Sequence, residues 1–236
     1  MASTGATGRR REPSLTGSDS AEAQKRAAAI AAAELLCDDM LVGLGTGSTV
    51  AHLLPAIAAR GLKGLRCAAT SPATEQAARA LGLTVEALDD LGELDIAIDG
   101  ADQVDPAGWL IKGGGGAHTR EKIVAAAARR FVVIVSADKT VEALTAPVPV
   151  ELLAFGAQRT LAELAPAELR DVPPSPDGGL IADYTGPVGD PVALAARLSA
   201  TPGVIGHGLF EPELVSLVLI GKPDGVRRQG GAKPGG

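Results

Sequence analysis

Short, uninterrupted apolar runs that lead into or out of helical stretches constrain this chain more than any other feature. Met40–Leu44 ends in glycines and precedes a helical segment over Ser48–Arg60, and Leu65–Ala69 precedes another over Ala73–Leu81. Leu94–Ile98 ends at Asp99, and Phe131–Ser136 follows a helical stretch from about Arg120 to Arg130. A strand with one wet face alternates apolar and polar residues, and these runs do not. They therefore belong to strands buried on both faces, and such strands alternating with helices make a parallel sheet covered on both sides. The predicted class is α/β, with a doubly wound parallel sheet opened by a first helix over Ala21–Cys37.

After about Thr145 the texture changes. Pro147, Pro149, Pro173, Pro174 and Pro176 punctuate shorter elements, Val192–Ser199 has helical composition, and Leu214–Ile220 is a last strand closed by the turn chemistry of Gly221–Gly225. This predicts a sheet domain over residues 21–145, completed by 214–229, and a smaller α+β domain over 146–213. Residues 1–20 and 230–236 are rich in Gly, Ser, Thr and Lys or Arg, and are expected to be a disordered leader and tail. Hydrophobic residues make up 46% of the 236, yet aromatics only 2%, so the cores must be built from Ala, Val, Leu and Ile. A net charge of -6 without a basic stripe excludes a general nucleic-acid binder. No apolar segment follows the Arg9–Arg11 cluster, and no run is long enough for a bilayer, so a soluble cytoplasmic protein without membrane contact is expected. Cys37 and Cys67 lack CxxC spacing and sit in apolar contexts, which reads as two buried free thiols.

Three loops carry chemistry. Gly43-Leu-Gly-Thr-Gly-Ser-Thr49 follows a strand and opens a helix, where backbone N–H groups converge on an anion. It has no lysine for a nucleotide P-loop. Ser48 also stands where a dinucleotide fingerprint needs its third glycine, and the second strand ends at Thr70-Ser71 rather than at an acid. A single phosphate or a sugar suits it better; the bland reading is a tight turn with Ser48 or Thr49 as helix cap. Asp99 and Asp102 stand just past a buried strand, where they can bind hydroxyls, act as acid and base, or hold Mg²⁺, although no further acid or His cluster supports a metal. Lys112-Gly-Gly-Gly-Gly-Ala-His-Thr-Arg-Glu121 is a second glycine loop entering a helix, with Thr119 as the expected cap and Glu121 in the first turn. Four successive glycines are entropically costly to order, which favours a close approach of backbone to ligand. Alone, Glu121 would pass for an acid complementing the helix dipole, and Lys139 for a surface lysine.

Together the segments GLGTGST, DGAD, KGGGGAHTREKI and SADKT, with PGV and LIGKPDGV near the end, resemble in order and spacing the type A ribose-5-phosphate isomerases. The resemblance covers about Ala21 to Val226. It implies a Rossmann-like domain with a small α/β domain, and interconversion of ribose 5-phosphate and ribulose 5-phosphate without metal or organic cofactor. By that resemblance Glu121 is the base. Thr46, Gly47, Ser48 and Thr49 contact the substrate near its phosphate with Lys25, and Asp99, Gly100, Ala101 and Asp102 line the sugar, the two acids assisting ring opening. Lys112, Gly113, Gly114, Gly115 and Lys139 complete the pocket. A homodimer is the implied assembly, and a small sugar phosphate the implied partner. Three features depart from the pattern: Gln103, where an acid is usual, His118, where a small or apolar residue is usual, and the segment Pro176–Gly186. His52 and His207 read as structural or surface residues. An amino-sugar-phosphate isomerase/deaminase or a CoA transferase fits the Lys112–Ile123 segment less well. A sugar-phosphate sensor would need a DNA-binding segment that the leader is too short to supply.

Overall fold

The computed structural model describes residues 17–233. Most of the expected leader lies outside that range. At its end, helix α1 (Gly17–Ala33) already begins before Ser20. There follow β1 (Leu41–Leu44), α2 (Ser48–Ala59), β2 (Arg66–Ala69), α3 (Pro72–Ala80), β3 (Thr84–Val85), β4 (Leu94–Asp99), β5 (Gln103–Val104) and β6 (Leu110–Ile111). The chain continues through α4 (His118–Ala126), β7 (Ala128–Ser136), β8 (Val148–Leu152), α5 (Ala157–Leu164), β9 (Ala167–Leu169) and β10 (Leu180–Tyr184). It closes with α6 (Pro191–Ala200), β11 (Val204–His207), β12 (Leu209–Phe210), β13 (Leu217–Lys222) and β14 (Gly225–Gly230).

The main sheet has seven strands in the order β14-β13-β7-β4-β1-β2-β3. All neighbours run parallel except the hairpin of β13 and β14. The chain starts at β1, moves outward through β2 and β3, then returns to the other flank of β1 with β4. That reversal opens a crevice beyond the carboxyl ends of β1 and β4. The apolar runs are explained by burial on both faces. In β7, Val132 and Ile134 join α1 and α2 in one core, while Phe131, Val133 and Val135 pack with α4 in another.

A four-stranded antiparallel sheet, β11-β8-β10-β9, has its own core around Val148, Val150, Leu152 and Leu164. A third sheet, β12-β6-β5, was not legible in the sequence. Its alternate residues divide between lobes: Leu110 and Phe210 enter the α4 core, Trp109, Ile111 and Leu209 the small-sheet core. It fixes the segment before Lys112 relative to both.

The structure corrects several boundaries. The helix expected from Arg120 to Arg130 spans His118–Ala126, and Arg129 and Arg130 belong to β7. The tail expected to be unstructured from Gly230 is bound as far as Lys233. Gly230 ends β14, Gly231 N–H donates to Ser216 O at 3.0 Å, and Lys233 N–H donates to Val215 O at 2.9 Å. Backbone hydrogen bonds hold this stretch without apolar residues, so composition did not reveal it. Cys37, expected to be buried, is exposed; only Cys67 is buried, and burial pushes its thiol pKa up to about 12.

Candidate active site

The crevice at the reversal point is built from main-chain geometry first. Gly45, just past β1, lies against Asp99 so closely that a Cβ there would overlap the carboxylate. Asp99 ends β4, and its Oδ1 accepts N–H bonds from Thr46 (3.0 Å) and Gly100 (2.7 Å). Its Oδ2 faces Lys112 Nζ at 2.8 Å. Lys112 follows β6; its Nζ also donates to the Gly100 carbonyl and stands 3.2 Å from Glu121 Oε2. Glu121 sits in the first turn of α4, where its N–H donates to Ala117 O. The cap of that helix is Ala117, not Thr119. The turn closed by Gly116 N–H on Gly113 O delivers the chain into the helix earlier than the hydroxyl pattern indicated, leaving the Thr119 hydroxyl inside the first turn without a partner among the described residues.

Asp99, Lys112 and Glu121 are all buried. Charge in such a place is tolerated only when compensated. Burial raises the Glu121 pKa to about 8, with Asp99 adding to the rise and Lys112 opposing it. Asp99 is also raised, by burial, against the pull of Lys112 and the two N–H groups. Burial by itself would depress the Lys112 pKa, but the two carboxylates outweigh it and hold it above the ordinary lysine value. Beyond that ammonium, Asp99 Oδ2 and Glu121 Oε2 have no hydrogen-bond partner among the described residues.

One cavity of about 140 Å³ collects the predicted residues. Lys25, Thr46, Gly47, Ser48, Thr49, Gly100, Ala101, Asp102, Lys112, Gly113, Gly114, Gly115, Glu121 and Lys139 all border it; Asp99 lies behind Lys112. The first N–H groups of a helix have no partner within it. In α2 these belong to Ser48 and Thr49, and the helix is capped by Gly47 rather than by a hydroxyl. They border the same space as the cations Lys25 and Lys139, an arrangement with the chemistry to hold an anion. Lys25 is also paired with Glu22 at 2.7 Å. Asp102 Oδ2 accepts the Gly114 N–H at 2.8 Å.

Two of the departures from the family pattern, Gln103 and His118, do not border this space. Gln103 brackets Thr145, donating to its carbonyl at 2.9 Å and accepting its N–H at 2.8 Å. His118 is fully buried, does not border the cavity, and has neither ring nitrogen hydrogen-bonded to a described residue. His52 pairs with Glu22 at 2.8 Å, while His207 is buried in the second lobe. Two contributors had no sequence signal: Thr70, whose hydroxyl meets that of Thr46 at 2.8 Å, and Arg170, which reaches the glycine loop from the small sheet.

A family model described as ribose 5-phosphate isomerase A (phosphoriboisomerase A) matches residues 66–225. Ribose-5-phosphate isomerase A of Caulobacter vibrioides (strain NA1000 / CB15N) is 47% identical over 226 residues, covering 89% of this chain and 98% of its own. A solved D-ribose-5-phosphate isomerase in complex with phospho-erythronic acid matches with a TM-score of 0.84 and 34% identity, over 89% of this chain and 99% of that one. Ribose 5 phosphate isomerase A from Neisseria gonorrhoeae matches with a TM-score of 0.85 and 30% identity, over 90% of this chain and 98% of its own. A sheet of this order, a carboxylate–lysine cluster at its reversal point and likeness along nearly the whole chain converge: this chain belongs to the ribose-5-phosphate isomerase A family.

Proposed function

We propose that Glu121 is the base that moves the proton in the family's reaction, the interconversion of D-ribose 5-phosphate and D-ribulose 5-phosphate. In the open-chain aldose, the Glu121 carboxylate takes the proton from C2. The electrons of that C–H bond form the C1=C2 double bond, and the carbonyl pair moves to O1, which takes up a proton. The product of this half is an enediol. In the second half O2 gives up its proton, its electrons form the C2 carbonyl, and C1 recovers a proton from Glu121. Atoms and electrons balance without an external oxidant.

The observation that carries this reading is a buried carboxylate, 3.2 Å from a buried ammonium, bordering the same cavity as the opening turn of α2. A general base is most effective when its pKa lies near the working pH. Burial and Asp99 bring Glu121 there, and Lys112 keeps it from rising further. In this scheme the first N–H groups of α2 with Lys25 and Lys139 anchor the phosphate. Asp102, Gly100, Ala101 and the Gly113–Gly115 backbone take the sugar, and Asp99 and Asp102 assist ring opening. That a solved neighbour is in complex with phospho-erythronic acid, a phosphorylated sugar acid, supports a sugar phosphate as the substrate. The reading carries with it a cytoplasmic homodimer, and a main-sheet domain with a smaller second domain over 146–213; sedimentation tests the dimer.

Glu121→Gln tests the central step. It keeps the side chain's size but removes the proton acceptor, and loss of a general base costs about 10²–10⁴ in rate. The expected outcome is a fall in kcat of that order with little change in KM, since the anion site is untouched. A folded Gln variant with near-normal kcat would overturn the role.

A further inference from the structure

A run of four glycines has no side chain with which to hold itself in place, so the 113–116 loop must be fixed by its neighbours. Gly113 adopts φ +107°, and a Cβ there would press on His118 and Pro149. On the cavity side, Asp102 takes the Gly114 N–H at 2.8 Å. On the other side the carbonyls of Gly113 and Gly114 both accept from one terminal nitrogen of Arg170, at 2.9 and 3.2 Å. Among the described residues no other side chain donates to these two carbonyls.

Arg170 is itself held. Its Nε and its second terminal nitrogen grip Asp183 of β10 at 2.7 and 2.6 Å, and its own N–H donates to Ile181 O at 2.9 Å. The guanidinium therefore spends one face of its planar fork on the small sheet and the other on the loop, a division that an ammonium cannot reproduce. Behind the loop lies a second cavity of about 440 Å³, bordered by Gly114, Gly115, Gly116, Arg170 and the proline-rich segment that follows. The loop is thus a wall one chain thick between two cavities.

We propose that Arg170, anchored by Asp183, is a positioning residue that clamps the 113–116 loop against Asp102 and so fixes the wall of the active site on which the sugar is oriented. This rests on the reaction assigned above, because its consequence is read through turnover. A structural alternative confines the Arg170–Asp183 pair to stabilising the edge of the small sheet.

Arg170→Lys and Asp183→Asn separate the two when kinetics on ribose 5-phosphate, thermal melts and amide hydrogen exchange are measured on the same preparations. Misplacement of a site by about 1 Å can cost on the order of 10²-fold in rate. For Arg170→Lys the expected result is a ten- to hundredfold loss of kcat/KM, carried mainly by kcat, with a melting temperature close to that of the parent. The Gly114 and Gly116 amides should exchange at least tenfold faster while those of β7 stay unchanged. Asp183→Asn should give a smaller loss with the same loop signature, and the double variant should be no worse than Arg170→Lys, since both changes release one clamp. Parent-like loop exchange in both variants would overturn the proposal, as would lost turnover that merely tracks a lowered melting temperature. If Arg170→Lys folds poorly, Asp183→Asn carries both readouts. Were the parent protein itself unable to isomerise ribose 5-phosphate, the assigned reaction would fail, and loop exchange would still decide the clamp.

Discussion

Two neighbouring residues of α4, Glu121 and Lys122, enter two buried polar clusters that handle charge in opposite ways. Glu121 joins Asp99 and Lys112, where opposite charges compensate one another. Lys122 joins His207 at 3.4 Å and the Leu209 carbonyl at 2.7 Å, and the described groups of this cluster with a resolved shift are all bases. Here burial depresses everything. Lys122 falls to about 8, His118 to about 4 and His207 to about 3, with Lys122 lowering both histidines further. The Phe210 ring stands between them, 5.5 Å from Lys112 Nζ and 4.9 Å from Lys122 Nζ. The deeper cluster, where opposite charges compensate one another, thus holds Glu121 at about 8, while the shallower one holds its histidines below their ordinary value. Counter-charge as well as depth sets the difference, since only Glu211 opposes the fall of Lys122.

Exchanging the lysines tests that contrast most severely. Lys112→Met leaves two buried carboxylates facing each other; breaking a buried pair costs about 3–5 kcal/mol, and kcat should fall by about 10² or more. Lys122→Met removes a depressed amine that mainly donates one hydrogen bond, worth roughly 0.5–3 kcal/mol, and should keep turnover within about tenfold of the parent. Melts and steady-state kinetics on both variants check this. Equal effects would erase the distinction between the clusters.

The pH profile of kcat/KM sharpens it. The base acts when deprotonated, so with Glu121 at about 8 the rate should rise about tenfold per pH unit below that value and level off above it. A profile flat from pH 6.5 to 9 would contradict the assignment. The smallest effect concerns the histidines. Their folded pKa values are depressed below the ordinary 6.5, so the unfolded chain binds more protons between that value and about 4. Their contribution to stability is present above pH 6.5 and is lost as pH falls through that window. His118→Leu should flatten the acid side of the melting-temperature profile, and an unchanged slope would show that His118 charges freely in the fold.

The sequence exposed the charged cluster far better than the neutral one. Local pattern placed Asp99 just past a buried strand, while Lys112 and Glu121 were assigned to the same pocket by the resemblance of their segment to the type A ribose-5-phosphate isomerases. His207 and Lys122 carry no such pattern; His207 is placed by β11 pairing with β8, and the Leu209 carbonyl that Lys122 meets by β12 pairing with β6, a two-residue strand too short to show a period. Arg170 was hidden for the same reason, since it lies 57 residues from Gly113 and touches only backbone there. The α4 cap was misplaced because hydroxyl patterns predict caps only where no glycine turn enters first. The bound tail escaped notice because backbone pairing needs no particular composition.

The order of the main sheet has a consequence for how the molecule comes into being. β13 lies directly beside β7, yet it is made after the whole small sheet, whose strands occupy the stretch between them. On the ribosome, β4 and β7 emerge with one flank of the sheet still open, and helix α1, which packs across β7 and β13, waits for half of its bed. The small sheet, built from one continuous stretch, can close first. Long-range parallel pairing is slow and leaves an unpaired edge exposed meanwhile. Pairing of β13 with β7 therefore closes a far longer loop than any pairing within the small sheet, and is expected to be the slower of the two to form.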